Sequence, residues 1–208
     1  MGKQKQQQIL KILEDTYRGS GTALQFGSLF QLLVAVMLSA QTNDNQVNAI
    51  TGQLFARYPM AADFASLTAA DLEPLISSCG LYKNKAKNII ASAKMICECY
   101  SGEVPCNKEA LIKLPGVGAK TANVVLSVGF GIPALAVDTH VFRVANRLGL
   151  AEAKTPEQTE TQLCALIPRE QWGDAHHWLI WHGRKICKAK HPQCSECPLN
   201  NVCPSNQG

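Results

Sequence analysis

Hydrophobic residues recur at helical spacing along most of the chain. In the segment LFQLLVAVMLSAQ, the side chains of Phe30, Leu33, Val34, Met37 and Leu38 fall on one side of a helix. The following segment, NQVNAITGQLFARY, repeats this spacing and predicts a second helix that packs on the core. The sequence contains neither the alternating apolar and polar pattern of a β-strand nor a repeat of about 20 to 50 residues. The pattern therefore predicts an all-α fold.

Glycine and polar residues mark where several further helices begin and end. The segment DLEPLISSCG is predicted to be a helix with Gly80 as its C-cap, and KNKAKNIIASAKMICECYSG a helix that ends before Gly102. Asp138 is the expected N-cap of the helix in VDTHVFRVANRLGL. Two more helices are expected at about 156–167 and 172–186. The chain is thus expected to consist of helices joined by short turns.

A glycine-rich turn, PGVG, separates the amphipathic segments NKEALIKL and AKTANVVLSVGFG and predicts a helix-hairpin-helix over about 108–127. Gly116 and Gly118 would leave backbone N–H groups open at the start of the second helix, where a phosphate can approach without meeting a side chain. Such contacts hold the DNA backbone without reading its base sequence. The alternative is a plain helix–helix turn in which the glycines serve only the backbone geometry.

Lys120 and Asp138 are candidate catalytic residues. Lys120 falls in the first turn of a helix, where the helix dipole disfavours a cation and favours the neutral, nucleophilic amine. The alternative is a lysine that faces solvent or pairs with a phosphate. For a lone aspartate in the position of Asp138, helix capping is a more common role than catalysis, and the two roles are compatible.

Composition indicates an ordinary folded protein without a membrane span. Hydrophobic residues make up 46% and charged residues 17% of the 208 positions. The longest apolar stretch, LLVAVMLSA, is about half the length that a bilayer crossing needs. The N-terminal segment MGKQKQQQILKILEDTY lacks the apolar region of a signal peptide. We therefore expect a protein that stays in the cytoplasm, where it is made.

Positive charge is concentrated near the C-terminus. The net charge of +4 permits a polyanionic partner without requiring one. Between Asp174 and Glu196 there is no acidic residue, whereas four cations occur there: Arg184, Lys185, Lys188 and Lys190. This run is either a solvated surface or part of a nucleic-acid contact.

Four of the nine cysteines form the array Cys-x6-Cys-x2-Cys-x5-Cys, consisting of Cys187, Cys194, Cys197 and Cys203. Four thiolates in one short loop can surround a zinc ion or an iron–sulfur cluster, and the spacing alone does not choose between them. The other five cysteines are scattered through helical segments, which argues against a secreted disulfide framework.

Histidines are weaker candidates for metal ligands. His191 lies inside the cysteine loop and could replace a cysteine at a zinc ion. His176, His177 and His182 occupy helical positions beside tryptophans and leucine, so we expect them to be packed or hydrogen-bonded core residues.

Four features taken together resemble one enzyme family. LPGVGAKTANVV, VDTHVFRVANR, LSAQTND and the four-cysteine tail occur here in the order and spacing of the endonuclease III family. Its members are bifunctional DNA glycosylases of the helix-hairpin-helix-Gly-Pro-Asp superfamily. The resemblance runs from about residue 9 to Cys203, nearly the whole chain.

The resemblance implies two helical domains with the DNA-binding groove between them. A six-helix barrel domain would span 24–133 and contain the helix-hairpin-helix at about 108–127. A second helical domain would join 1–23 with 134–208 and carry a [4Fe–4S] cluster in the loop 187–203. The four cysteines correspond one for one to the cluster ligands of the family. The cluster would have a structural or redox-sensing role and take no part in bond cleavage.

The resemblance also implies the chemistry. Lys120 corresponds to the family's lysine nucleophile and Asp138 to its catalytic aspartate. The implied function is base excision repair: removal of oxidised pyrimidines from double-stranded DNA through a lysine Schiff base, then β-elimination 3′ to the abasic site. The expected enzyme is a monomer that acts on damaged or abasic duplex DNA in the nucleoid.

Several DNA contacts follow from the resemblance. The target nucleotide must leave the base stack to react. Gln41 would enter the vacated space, and Leu81 would wedge beside the unpaired partner base. Gly116, Gly118 and Lys190 would contact the DNA backbone.

The helix after Leu81 carries three further lysines, Lys83, Lys85 and Lys87, which either reach phosphates or form a solvated face. Within LSAQTND, Thr42 and Asn43 differ from the forms expected of the family. The resemblance therefore leaves the base preference open.

Two alternatives compete with this hypothesis. A monofunctional mismatch glycosylase of the same superfamily would lack the lysine that is present here as Lys120. A non-catalytic iron–sulfur DNA-binding protein or electron carrier would explain the hairpin or the cysteines. Neither a non-catalytic DNA-binding protein nor an electron carrier requires Lys120 together with Asp138.

Overall fold

The computed structural model describes residues 2–206, and these contain helices and turns but no strand. The all-α prediction is confirmed. The chain divides into two compact units, one formed by Ala23–Ile132 and the other by the described residues up to Thr22 together with those from Pro133 onward. These bounds differ by one residue from those implied by the resemblance.

Residues 23–132 form a unit built around one largely buried helix. Its α-helices are α2 (Leu29–Ser39), α3 (Asp44–Arg57), α4 (Ala61–Ser66), α5 (Ala69–Leu72), α6 (Tyr82–Cys99), α7 (Lys108–Leu111) and α8 (Ala119–Val124). Every residue from Leu32 to Leu38 is buried, as expected for a helix that is apolar on all sides. Phe64 of α4 packs edge-on against Phe30 of α2, with ring centroids 5.2 Å apart.

The single helix predicted for DLEPLISSCG is shorter in the structure than the sequence indicated. α5 ends at Leu72, a short 3-10 helix follows over Pro74–Ile76, and Gly80 lies in the turn before α6 instead of capping a helix. Proline has no backbone N–H to donate and its ring crowds the preceding turn, so the α-helix cannot continue through Pro74.

The second unit joins the N-terminal helix to the last third of the chain. Its α-helices are α1 (Lys3–Tyr17), α9 (Thr139–Arg147), α10 (Pro156–Leu166) and α11 (Trp172–Lys185), which include the two predicted near 156–167 and 172–186. Ile9 and Leu13 of α1 share a core with residues of the other three helices. Leu199, within the cysteine tail, is fully buried in the same core and attaches the tail to the helices.

Core histidines occur in α11 as predicted. His176 and His182 are buried, whereas His177 is half-buried. His176 Nδ1 lies 2.7 Å from the Ala136 carbonyl oxygen.

Over the described range 2–206, no helix combines the length and apolar character that a membrane crossing requires.

Candidate functional site

The turn between α7 and α8 is held in place by α6. Ser92, a buried residue of α6, donates a 2.7 Å hydrogen bond to the Pro115 carbonyl oxygen. Gly116 has a φ of +79°, and a Cβ there would lie 2.8 Å from the side chain of Asn88. Only glycine combines this left-handed backbone with such a close approach. The turn geometry is therefore specified by glycine at Gly116 and by two side chains of α6.

Gly118 has a different role in the same turn. It is the N-cap of α8 with an ordinary extended backbone, φ −94° and ψ 177°, which any residue can adopt. A Cβ at Gly118 would meet nothing within 4 Å. Glycine is consequently not required there by packing, and its effect is to leave the first N–H groups of α8 open to an approaching anion.

Lys120 is the second residue of α8, in its first turn, as the sequence predicted. Its side chain is half-buried. α8 passes without interruption into a π-helical segment, Val125–Gly129, so that Lys120 stands near the start of a longer helical stretch. The amine is therefore carried by a regular helix next to the glycine turn rather than by a loop.

Asp138 caps α9 in the second unit. Its Oδ1 accepts hydrogen bonds from the backbone N–H groups of His140 and Val141, both at 2.8 Å. The predicted N-cap role is confirmed. Both bonds go to the same oxygen, so capping fixes the carboxylate orientation and leaves Oδ2 for other interactions. The side chain is half-buried.

Gln41 and Leu81 both have left-handed backbones, with φ of 58° at each. This conformation is uncommon for residues with a side chain and is often found at functional sites. Both side chains are exposed, Leu81 to 60%, which is unusual for a large apolar residue. A Cβ at Gly80 would lie 3.3 Å from the Gln41 carbonyl oxygen, so the two loops are in contact.

One expectation for the lysines of α6 is wrong. Lys83 and Lys87 are exposed, as a phosphate-contacting or solvated face requires, but Lys85 is only 8% exposed. The Lys85 ammonium donates to acceptors at the C-terminal end of α2 and in the following loop. It is therefore not positioned to reach a phosphate. The missed signal is its helical spacing with the buried residues Ile89 and Ile96.

The four cysteines of the tail line one cavity of about 160 Å³ within the second unit. They are Cys187, Cys194, Cys197 and Cys203, and Arg147 and His182 also line the cavity. Burial raises the pKa of the Cys197 thiol; a hydrogen bond from the Leu199 N–H opposes this, and charge on the other three cysteines raises it further. Deprotonated together, four thiols that line one cavity would repel one another, and a cationic centre bound among them would offset this repulsion.

Hydrogen-bond donors lie near two of the four sulfur atoms, those of Cys187 and Cys197. Arg147 Nη1 lies 3.5 Å from Cys187 Sγ, and the Leu199 N–H donates to Cys197 Sγ over 3.4 Å. His182 Nε2 is 3.7 Å from Cys197 Sγ. Donors of this kind are the usual outer layer around the thiolates of an iron–sulfur site.

The contact with Cys197 determines the tautomer of His182. A ligating thiolate only accepts hydrogen bonds, so Nε2 carries the proton and Nδ1 accepts. The partner of Nδ1 is the Tyr17 hydroxyl of α1, at 3.1 Å, which must then be the donor. Burial, together with charge on Cys197 and Cys187, raises the pKa of Tyr17 to about 12, consistent with a protonated hydroxyl.

The basic loop after Cys187 is fixed by arginines of α9. Arg147 donates to the carbonyl oxygens of Lys188 and Ala189, at 2.7 and 3.1 Å. Arg143 donates to the Cys187 carbonyl oxygen, at 3.2 Å from Nε and 3.1 Å from Nη2. The carbonyl groups of the loop thus face α9, while the side chain of Lys190 is exposed.

The cavity fits a cluster better than a single ion. A zinc ion requires its sulfur ligands at about 2.3 Å. Within residues 2–206, no three histidine, cysteine or acidic side chains converge closely enough to hold one metal ion. The cysteines instead surround a space of about 160 Å³. Four thiolates around such a space, supplied with N–H donors, match the requirements of an iron–sulfur cluster.

Comparisons with known proteins define the class to which these features belong. The sequence profile of the HhH-GPD superfamily of base excision DNA repair proteins matches residues 34–169. The iron–sulfur binding domain of endonuclease III matches residues 187–203. The chain therefore belongs to the HhH-GPD superfamily of base excision DNA repair proteins. Within it, the relatives and solved structures below identify the chain as a member of the endonuclease III family.

Endonuclease III of Bacillus subtilis (strain 168) is 51% identical over 179 residues, which cover 86% of this chain and 82% of the relative. Endonuclease III of Escherichia coli (strain K12) is 44% identical over 203 residues, which cover 98% of this chain and 96% of the relative. A solved structure of a trapped endonuclease III–DNA covalent intermediate, in an estranged-adenine complex, aligns with a TM-score of 0.96 at 43% identity, covering 99% of this chain and 97% of that one. The predicted family and the [4Fe–4S] cofactor are thereby confirmed.

Proposed function

We propose that this protein is a base excision repair enzyme that removes damaged bases from double-stranded DNA and then cleaves the strand at the abasic site. The observation that carries the proposal is the position of Lys120, in the first turn of α8, directly after a turn whose glycines open the backbone to a phosphate. Membership of a base excision repair family supports it. The enzyme acts as a monomer on DNA of the nucleoid, in the cytoplasm.

In this mechanism Lys120 is the nucleophile. Its neutral amine forms a bond to C1′ of the extruded nucleotide while the bond from C1′ to the base breaks, and the bonding electrons leave with the base. The amine nitrogen then loses a proton while the C1′–O4′ bond breaks and O4′ takes up a proton, which opens the sugar ring and leaves a Schiff base with an acidic C2′ proton. Water takes the C2′ proton, a double bond forms between C2′ and C3′, and the electrons of the C3′–O bond leave with the 3′ phosphate. A trapped covalent DNA intermediate of a relative supports this route.

Asp138 stabilises the positive charge that develops at the sugar as the base departs. Its two hydrogen bonds from the start of α9 hold the carboxylate in a fixed orientation, so no reorganisation is needed when the charge forms. The capping role and the catalytic role therefore use the same anchored side chain.

Contacts to DNA are divided between backbone and base stack. Gly116 and Gly118 present amide groups to a phosphate, and Lys190 contacts the backbone from the loop that Arg147 fixes. Gln41 fills the space of the extruded nucleotide, and Leu81 is the apolar wedge. Cys187, Cys194, Cys197 and Cys203 would hold the [4Fe–4S] cluster, which would fix the shape of the loop.

Borohydride trapping tests the nucleophile. The wild-type protein should form a covalent adduct with an abasic-site duplex, because borohydride reduces the Schiff base to a stable amine. Lys120→Ala should form none, whereas Lys113→Ala, which removes an exposed lysine just before the turn, should trap normally. An undiminished adduct with Lys120→Ala would assign the nucleophile to another residue.

A second variant separates the two roles of Asp138. Asn is as good an N-cap as Asp, so Asp138→Asn should retain thermal stability while losing base excision. Wild-type excision by Asp138→Asn would show that its charge is not used.

The substrate is tested with duplexes that carry single lesions. Oxidised pyrimidines such as thymine glycol should be excised, and excision limited to normal bases in mismatches would favour the monofunctional alternative.

A further inference from the structure

Lys85 is a buried cation whose position the proposed chemistry does not explain. It lies in the first turn of α6, on the face that packs into the unit, and only 8% of it is exposed. A buried ammonium is unfavourable unless its donors are satisfied. Burial lowers the pKa of Lys85, opposed by charge on Cys79, so the charged form depends on good acceptors nearby.

Three acceptors match the three N–H donors of the ammonium. They are the carbonyl oxygens of Leu38 and Ala40, at 2.7 and 2.5 Å from Nζ, and Thr42 Oγ1, at 3.1 Å. The two carbonyl groups lie at the C-terminal end of α2, where backbone acceptors have no partner within the helix and the dipole favours a cation. Lys85 thus closes the end of α2 and holds the residues after it.

The segment that Lys85 holds contains Gln41, between two of its acceptors. Gln41 is exposed and left-handed, and its carbonyl oxygen lies beside Gly80, the residue before Leu81. Leu81 is the N-cap of α6, four residues before Lys85, and is also exposed and left-handed. A left-handed backbone at a residue with a side chain persists only where its surroundings enforce it. Lys85 connects the two loops that contain these residues.

We propose that Lys85 is a positioning residue that fixes Gln41 and Leu81 in the geometry with which they enter the duplex. The inference rests on the proposed function, since it assumes that both side chains act in the base stack. Lys85 itself contacts neither base nor phosphate. Its role differs from that of its neighbours Lys83 and Lys87, which are exposed on the same helix.

The salt dependence of binding separates these roles. A lysine that neutralises a phosphate contributes about one to the slope of log affinity against log salt concentration, whereas a positioning residue contributes nothing. Unpairing of the base opposite an abasic site can be followed separately, with the fluorescent base 2-aminopurine at that position.

The test compares Lys85→Met with Lys87→Met, each binding a duplex that has a stable abasic-site analogue opposite 2-aminopurine. Lys85→Met should reduce the fluorescence change and, on a separate duplex that carries one oxidised pyrimidine, slow base excision about ten- to a hundredfold, because a misplacement of about 1 Å caused by a mutation away from the reacting atoms can cost that much. Its salt slope should stay at the wild-type value. Lys87→Met should keep the fluorescence change and, if it contacts a phosphate, lower the slope by about one.

Two further variants keep the test decisive if Lys85→Met folds poorly. Thr42→Val removes one acceptor of the ammonium and should change the fluorescence in the same direction by a smaller amount. Lys85→Arg retains donors and should recover part of the lost excision. A folded Lys85→Met or Thr42→Val with wild-type fluorescence and excision would overturn the positioning role of Lys85 and leave the proposed function intact. A wild-type protein that neither traps on an abasic duplex nor perturbs the fluorescent base would overturn the proposed function, and this role with it.

Discussion

The two units fix their functional groups in different ways. In residues 23–132, backbone geometry and hydrogen bonds within the polypeptide are sufficient: Gly116 and Leu81 adopt left-handed conformations, and Lys85 donates to the end of α2. In the second unit, Arg147 likewise donates to the Lys188 carbonyl oxygen 41 residues later, but the loop that it fixes also contains the four cysteines. The site in residues 23–132 is therefore largely complete in the folded polypeptide. The cysteine loop requires a cofactor to offset the negative charge of four thiolates.

Loss of one cluster ligand should produce the largest difference between the units. Cys197→Ala removes a thiolate, and small structural metal sites contribute on the order of 10 kcal/mol to folding. Amide hydrogen exchange should therefore become much faster in 187–203, α1 and α11, while α2 stays protected. Cys99→Ala, an exposed cysteine of α6, is the control. Equal loss of protection in α2 would show that the two units do not differ in this way.

The glycine turn should respond to its two glycines differently. Gly116→Ala places a methyl group on a left-handed backbone, 2.8 Å from Asn88, and should destabilise the protein by about 1–3 kcal/mol. Gly118→Ala has ordinary backbone angles and open space, so it should cost less stability and mainly weaken DNA binding. Thermal unfolding and affinity at fixed salt measure both effects. A larger stability loss for Gly118→Ala would contradict the roles assigned to the two residues.

The hydrogen bond from Tyr17 to His182 should have a smaller effect, confined to the second unit. Tyr17→Phe removes the donor to Nδ1, so the tautomer that donates to Cys197 is held less firmly. A buried hydrogen bond contributes about 1 kcal/mol, which corresponds to roughly fivefold faster loss of iron to a chelator. The decay of the cluster absorbance measures that rate. Tyr58→Phe, in the other unit, should leave this rate unchanged. A rate of iron loss in Tyr17→Phe equal to that of the wild type would show that the hydrogen bond from Tyr17 to His182 does not stabilise the cluster.

The smallest effect concerns the acid dependence of the second unit. Burial lowers the pKa of His177 from its ordinary value of 6.5, with charge on Asp174 opposing and on Arg184 adding to the shift. As pH falls, the unfolded chain therefore takes up this proton before the folded chain does. The contribution of His177 to stability is complete above about pH 6.5 and is lost as the pH falls through the folded-state pKa.

Urea unfolding at about pH 7.5 and about pH 5.5 tests this sign. The free energy of unfolding should fall toward acid in the wild type, and by less in His177→Gln. A steeper fall in that variant would mean that the proton stabilises the folded form.

Most of the fold could be predicted because helical spacing involves residues within a turn or two of one another. The helices of the second half of the chain and the N-cap at Asp138 are confirmed for this reason. The segment around Pro74 was predicted incorrectly, since the apolar spacing continued past a residue that cannot propagate a helix.

Outside the segment around Pro74, the sequence by itself determined which helices form, where Lys120 and Asp138 stand relative to helix starts, and that four cysteines share one loop. These features depend on neighbours along the chain. Only the tertiary structure decided that Lys85 is buried at the end of α2, that Arg147 holds the basic loop, and that the cysteines surround a cluster-sized cavity. Spacing in the sequence does not specify which distant acceptor a side chain meets, because that depends on how the helices pack.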